Sequence, residues 1–227
     1  MAETQEGQGL NIEQTLGKTE DFVNKNKKSL MIIGGAIAVA VAGYLYYQYS
    51  YVAGKEKETQ AQMFRAEEYF RNDSLKLAIN GDGNFPGFEE ITNDDGVSPS
   101  ANLAHYYLGM TYLKNKEYDK AIEALKSYNA KDQVTSALTL GAIGDAYMEL
   151  NNTEDAISYY EKAAKENVNN FTTPIFLMKL AAAFEMKGDY SEAADVYKRI
   201  KTDYSATSEG QGVEKYLARA EALAEKK

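Results

Sequence analysis

The chain has 227 residues, 44% hydrophobic and 26% charged, with a formal net charge of −9. That acidic balance argues against a nucleic-acid partner, which calls for a basic face. The lack of cysteine excludes disulfides, thiolate catalysis and Cys-based metal sites. With one histidine, no tryptophan and no Walker loop, GxGxxG, HExxH or GxSxG pattern, the inventory is that of a non-enzymatic protein without cofactor or metal.

Residues 1–29 form a polar N-terminal tail, and an apolar run follows over 30–53. From Leu30 to Tyr51 no residue is charged. At about 1.5 Å per helical residue, some twenty such residues span a hydrocarbon core of about 30 Å. The run ends in Tyr44, Tyr46, Tyr47, Tyr49 and Tyr51. A phenol is apolar in body and polar at its tip, so a tyrosine collar fits the headgroup layer where a membrane helix leaves the lipid. A signal peptide cleaved near Ala42 is the rival reading, since Ala38-Val39-Ala40 and Ala40-Val41-Ala42 are small-x-small triplets. Against it, the leader is long and carries Glu3, Glu6, Glu13, Glu20 and Asp21. Lys25, Lys27 and Lys28 precede the run, while Lys55 and Lys57 follow it among glutamates. This small basic excess places the tail in the cytoplasm and the remaining chain across the membrane.

Beyond the run, one skeleton recurs: a small residue, an aromatic three positions on, and alanine nine positions later. It appears as Ala66/Tyr69/Ala78, Gly109/Tyr112/Ala121, Gly144/Tyr147/Ala156 and Ala181/Phe184/Ala193. The pattern predicts antiparallel helix pairs, with Gly109 and Gly144 allowing close approach, each facing the alanine of its second helix. Asp119 is the expected cap of one second helix, and Asn151 and Gly188 fall in inter-helix turns. One pair cannot bury its own face, so neighbours stack into a solenoid. The first unit, with a loop insert, occupies 54–100; three repeats occupy 101–207; a capping helix occupies 208–227, with Ser208 and Gln211 as a capping box. In the insert, "NGDGN" reads as a turn, and Phe85 and Phe88 as plugs on the first pair or contacts for a partner. His105 sits at a packing position.

The skeleton resembles the tetratricopeptide repeat. Residues 102–135 carry it at Leu108, Gly109, Tyr112 and Ala121; residues 137–170 at Ile143, Gly144, Tyr147, Ala156, Tyr160 and Ala163; residues 174–207 at Leu180, Ala181, Phe184, Ala193 and Tyr197. The resemblance implies an all-α fold, one transmembrane helix followed by a short solenoid. The order of segments is similar to single-pass inner-membrane repeat proteins of bacteria, of Bacteroidetes type, associated with the Sec translocon and periplasmic chaperones. It implies a protein-binding scaffold in the inner membrane, its C-terminal domain periplasmic, assisting export or folding.

In that family the first helix of each pair lines a concave groove. Carried onto this chain, the positions are Leu103, Tyr106, Met110 and Leu113, then Leu138, Asp145 and Met148, then Ile175, Met178 and Glu185. The basic and amide residues that grip a C-terminal carboxylate in chaperone-binding relatives are absent from these places. An aliphatic, methionine-rich lining suits adaptable recognition of apolar segments. Two kinds of occupant stay open: a translocon or chaperone client, or the chain's own C-terminal helix or a second copy. The latter would make it a structural homo-oligomerisation element of an envelope complex.

Overall fold

The computed structural model describes residues 12–94 and 98–226, in two compact units, Met1–Ala53 and Gly54–Lys227. Residues 1–11 of the polar tail lie outside the described residues; from Ile12 onward the tail is helical. In the first unit α1 (Ile12–Tyr46) runs into a π-helical turn, Tyr47–Val52. Tyr47 and Tyr51 stack there with ring centroids 5.5 Å apart. Ile32, Ile37, Val39 and the collar tyrosines Tyr44, Tyr46 and Tyr49 face outward, with no protein covering them. The helical stretch Glu20–Arg71 is long and apolar enough to cross a membrane by length and composition, and none of its apolar window is buried.

Among the described residues the elements of the second unit are all helices, in pairs set by one turn geometry. The pairs are α2 (Ala53–Arg71, entering from the unit boundary) with α3 (Leu75–Asn80), and, after α4 (Phe88–Asp94), α5 (Pro99–Lys114) with α6 (Tyr118–Ser127). Then come α7 (Gln133–Glu149) with α8 (Thr153–Glu166) and α9 (Thr173–Lys187) with α10 (Tyr190–Asp203). Each first helix stops at a left-handed residue: Asp73 (φ 57°), Lys116 (65°), Asn151 (59°) and Gly188 (85°). In each, the next N–H turns back to the carbonyl of the repeat aromatic: Ser74 to Tyr69, Glu117 to Tyr112, Asn152 to Tyr147 and Asp189 to Phe184, all at 2.9 Å. These bonds satisfy orphan carbonyls at the helix end. Four residues further, the N–H of Ala78, Ala121, Ala156 or Ala193 makes the first bond of the second helix. The degenerate first unit thus has the same turn as the others.

Two expectations about these pairs are corrected. Asp119 does not cap α6; Glu117 holds that position, and Asp119 lies in the first turn. The left-handed residue fixes where the second helix starts, so no particular cap side chain is required. The glycines do not face the repeat alanines as their closest neighbour. A Cβ on Gly109 would meet the Leu125 side chain at 2.5 Å, and one on Gly144 the Tyr160 ring at 2.6 Å. Each partner stands one helical turn beyond the alanine, where its larger side chain reaches across. The alanines are themselves fully buried.

In the insert, Phe88 and Ile91 are buried and Phe88 stacks on Tyr107 at 5.4 Å. Phe85, read as a second plug or as a contact for a partner, is 43% exposed under the Arg65 guanidinium of α2. Asp82 explains the difference. Its Oδ1 accepts the N–H groups of Asn84 and Phe85, and its Oδ2 accepts the Tyr69 hydroxyl at 2.8 Å, tying the turn down without Phe85. Those bonds, the one from Phe85 first, hold the Asp82 carboxyl below its ordinary value.

The C-terminal segment is two helices, α11 (Ser208–Gly212) and α12 (Glu214–Ala224), meeting at Val213. The cap is Thr207, which accepts the Gly210 N–H, rather than Ser208. Val213, Leu217 and Ala220 are buried, 37 residues after the buried Phe176, Leu180 and Ala183. In packing, α12 takes the place of the first helix of a fifth pair.

Candidate protein-binding groove

The first helices lie side by side and run in one direction. Glu56 in α2 accepts the N–H and hydroxyl of Ser100 at the start of α5, at 2.9 and 2.6 Å. α5 packs along α7, and Gly141 of α7 meets the Phe176 ring of α9. Their inner faces therefore align as rows across the repeats.

At the C-terminal end of these helices lies an open cleft of about 630 Å³. Leu113, Met148, Ala182 and Met186 supply its apolar surface; Lys114, Lys116, Tyr118, Asp145, Glu149, Asn151, Tyr160 and Lys179 supply its polar surface. Lys179 donates to both Asp145 oxygens at 2.7 and 2.6 Å, and the Tyr160 hydroxyl donates to Oδ1 at 2.7 Å. Burial, then the Asp145 charge, pushes the Tyr160 phenol well above its ordinary value, so it stays a donor. Tyr118 donates to Glu149 at 3.0 Å, and Lys114 pairs with Asp73. The cleft thus has an apolar floor and a polar wall in which Asp145, Lys179 and Tyr160 satisfy one another, suited to an apolar segment with polar edges.

Of the ten positions carried over from the repeat pattern, Leu113, Asp145 and Met148 line this cleft. Leu113 also packs with Tyr106 and Met110 on the Ile122, Leu125 and Ile143 cluster, and Tyr106 rests on Tyr128. Leu103 packs toward Met63, Ala66 and Phe88, and Met178 toward Tyr160 and Leu180. Leu138 is exposed and Ile175 half-buried near the starts of their helices. Glu185 is held by Arg219 of α12 through both of its oxygens, with Nε donating at 3.3 Å. Burial, then Glu185, pushes the neighbouring Tyr197 phenol up to about 12.

The cleft also holds residues outside that set. Ala182 and Met186 stand 37 residues after Asp145 and Glu149, so the repeat offset could have found them. Lys114, Lys116 and Lys179 bring in basic groups from neighbouring positions. Tyr118 and Tyr160 come from second helices, and nothing in the first-helix periodicity points to them. His105 is half-buried beside none of these groups, its imidazole shifted below its ordinary value by burial.

The tetratricopeptide repeat family model matches residues 88–133 and 142–206. Tetratricopeptide repeat protein 29 of Macaca fascicularis is 29% identical over 146 residues, 61% of this chain and 29% of that protein. The uncharacterized protein ycf37 of Guillardia theta is 30% identical over 99 residues, 42% of this chain and 54% of that protein. The chain therefore spans well under two thirds of either relative. Among solved structures, kinesin light chain TPR-like repeats of Podosopora anserina superpose with a TM-score of 0.59 at 15% identity, covering 76% of this chain and 89% of that one. The MamA protein superposes with a TM-score of 0.52 at 19% identity, covering 73% and 89%. Residues 88–133 and 142–206 thus match the tetratricopeptide repeat in sequence, and the helical unit shares the fold of solved repeat structures.

Proposed function

We propose that this protein is a membrane-tethered, non-catalytic scaffold of the bacterial envelope that holds an apolar segment of another protein in the cleft between α5, α7 and α9. The solenoid fold is one that serves protein–protein interaction, and the observation that carries the reading is the cleft itself. Met148 and Met186 present adaptable apolar surface there, with Met186 66% exposed. The uncovered apolar helix supports a tether, which raises local concentration so that modest groove contacts suffice. The basic residues before that helix support a periplasmic position for the repeats, and so a role in export or folding near the translocon. α12 packs on α10, so it closes the end of the solenoid and leaves the cleft open to a partner.

A photocrosslinker placed at Met186 in the full chain tests this in membranes. Adducts to other envelope or exported proteins support the scaffold reading. Adducts only to a second copy of the chain establish self-association instead. Protease added to spheroplasts should digest the repeats; digestion only after lysis removes the export role.

A further inference from the structure

The starts of the first helices form a second surface, whose chemistry differs from the cleft. Glu56 bonds Ser100, so the first turns of α2 and α5 are level. Ser136, in the first turn of α7, donates to Glu166 at 2.7 Å, and Glu166 leads directly into the α8–α9 loop. That loop and the starts of α2, α5 and α7 therefore share one end of the helical unit.

The loop is built to expose apolar groups. No charged residue occurs between Glu166 and Lys179. Val168 and Phe171 are 65% and 68% exposed. Yet the backbone around them is tied down by Asn169. Its Oδ1 accepts the Phe171 and Thr172 N–H groups at 2.6 and 2.7 Å, and its Nδ2 donates to the Asn167 carbonyl and to Thr172 Oγ1 at 2.6 and 2.8 Å. A backbone tied down by its own side chain has fewer unpaired polar groups to desolvate, while an exposed phenylalanine gains by leaving water. Val134, 37 residues before Phe171 and 39% exposed, extends the same surface on α7.

We propose that this end of the helical unit rests on the bilayer, with Phe171 and Val168 inserted at the boundary between headgroups and acyl chains. The proposal rests on the reading that the apolar helix is a membrane anchor. Chain length then selects the occupant. Four residues lie between Tyr51, the last tyrosine of the collar, and Glu56. Even fully extended this stretch reaches roughly 18 Å, so a membrane anchor keeps the start of α2 within that distance of the lipid surface. An aromatic and a branched aliphatic side chain on an uncharged, internally bonded loop suit that boundary. A tether plus a lipid-contacting edge would fix how the cleft is presented to partners.

The chain has no tryptophan, so single introduced tryptophans report cleanly. The full chain carrying Phe171→Trp, or Leu150→Trp at the other end of α7, is reconstituted into phosphatidylcholine/phosphatidylglycerol vesicles with and without brominated acyl chains. Flotation of both variants with the vesicles establishes the anchor. The proposal expects Phe171→Trp to shift its emission to the blue and to lose most of its fluorescence in brominated lipid, with Leu150→Trp unchanged. A floating protein whose Phe171→Trp emission stays that of water-exposed indole overturns the lipid contact and leaves the anchor standing. A blue shift without bromine quenching also overturns it, and assigns the surface to a protein neighbour. Failure to float overturns the anchor and this contact together.

Discussion

Lys179 on α9 reaches back to Asp145 on α7 and donates to both of its carboxylate oxygens. The Tyr160 hydroxyl of α8 completes the carboxylate's partners. A charge pair at this place clips two successive repeats together across the floor of the cleft. The next interface repeats the device one helical turn further on, where Arg219 of α12 holds Glu185 of α9. Both of these interfaces have one carboxylate from the earlier repeat and one cation from the later.

Removing Lys179 should cost little stability and change the cleft more. Both partners of the Asp145 pair are about a third exposed, and pairs of that kind contribute roughly 0.2–1 kcal/mol. Lys179→Met and Asp145→Asn, alone and together, should give a coupling energy in that range by urea denaturation. Crosslinking to partners from Met186 should change in the single variants, which leave an uncompensated charge in the cleft, more than in the double variant. A coupling energy near zero would show that the two groups act independently.

Gly141 brings α7 close against α9. A Cβ there would overlap the ring of Phe176, which is buried. Gly141→Ala should therefore destabilise by about 1–3 kcal/mol, although alanine is the better helix former. Combining it with Phe176→Leu, which shortens the obstructing side chain, should recover part of the loss relative to the sum of the single changes. Simple additivity in urea melts would place the strain elsewhere.

His105 should make the fold acid-sensitive in a window above the carboxylates. Burial lowers its folded pKa below the ordinary 6.5. The unfolded chain therefore binds the proton first. Stability is unaffected above about pH 6.5 and falls as the pH drops from there toward the folded pKa. His105→Phe should flatten the stability profile between pH 7 and 5 and leave the loss at lower pH, which the carboxylates dominate. Because the chain has one histidine, its ring resonances also report the shifted titration directly.

What the sequence disclosed was whatever repeats. The small residue, aromatic and alanine at fixed offsets mark buried positions and one turn geometry, so the solenoid and most pair boundaries were legible. Leu113, Asp145 and Met148 were legible as cleft residues because they occupy equivalent places on first helices. Contacts made once were not. Tyr160 on Asp145, Glu56 on Ser100 and the Asn169 staple join residues with no periodic relation. Cap positions were missed at Asp119 and Ser208 for a different reason. A left-handed backbone residue, or a neighbouring threonine, sets those helix starts and leaves little compositional trace.

The capping helix gives the sharpest test of the architecture. Val213 and Leu217 occupy the places that Phe176 and Leu180 hold one repeat earlier, and they cover Tyr197, Ile200 and Tyr204 of the last complete pair. Without α12 these side chains would face water, and a solenoid whose last apolar face is open tends to stack on another. Leu217→Ala should cost about 2–5 kcal/mol, with the loss concentrated in α9 and α10 because each pair is stabilised chiefly by its neighbours. Hydrogen exchange should show that gradient, with faster exchange in α10 and little change in α5 and α6. Val213→Asp, which buries an unpaired carboxylate, should release α12 altogether and make the protein's association grow more steeply with concentration than that of the unaltered chain. If exchange instead quickened equally from α5 to α12, the unit would unfold as one cooperative block. If the Val213→Asp protein kept its stability and associated no more than the unaltered chain, the last pair would not need the cap.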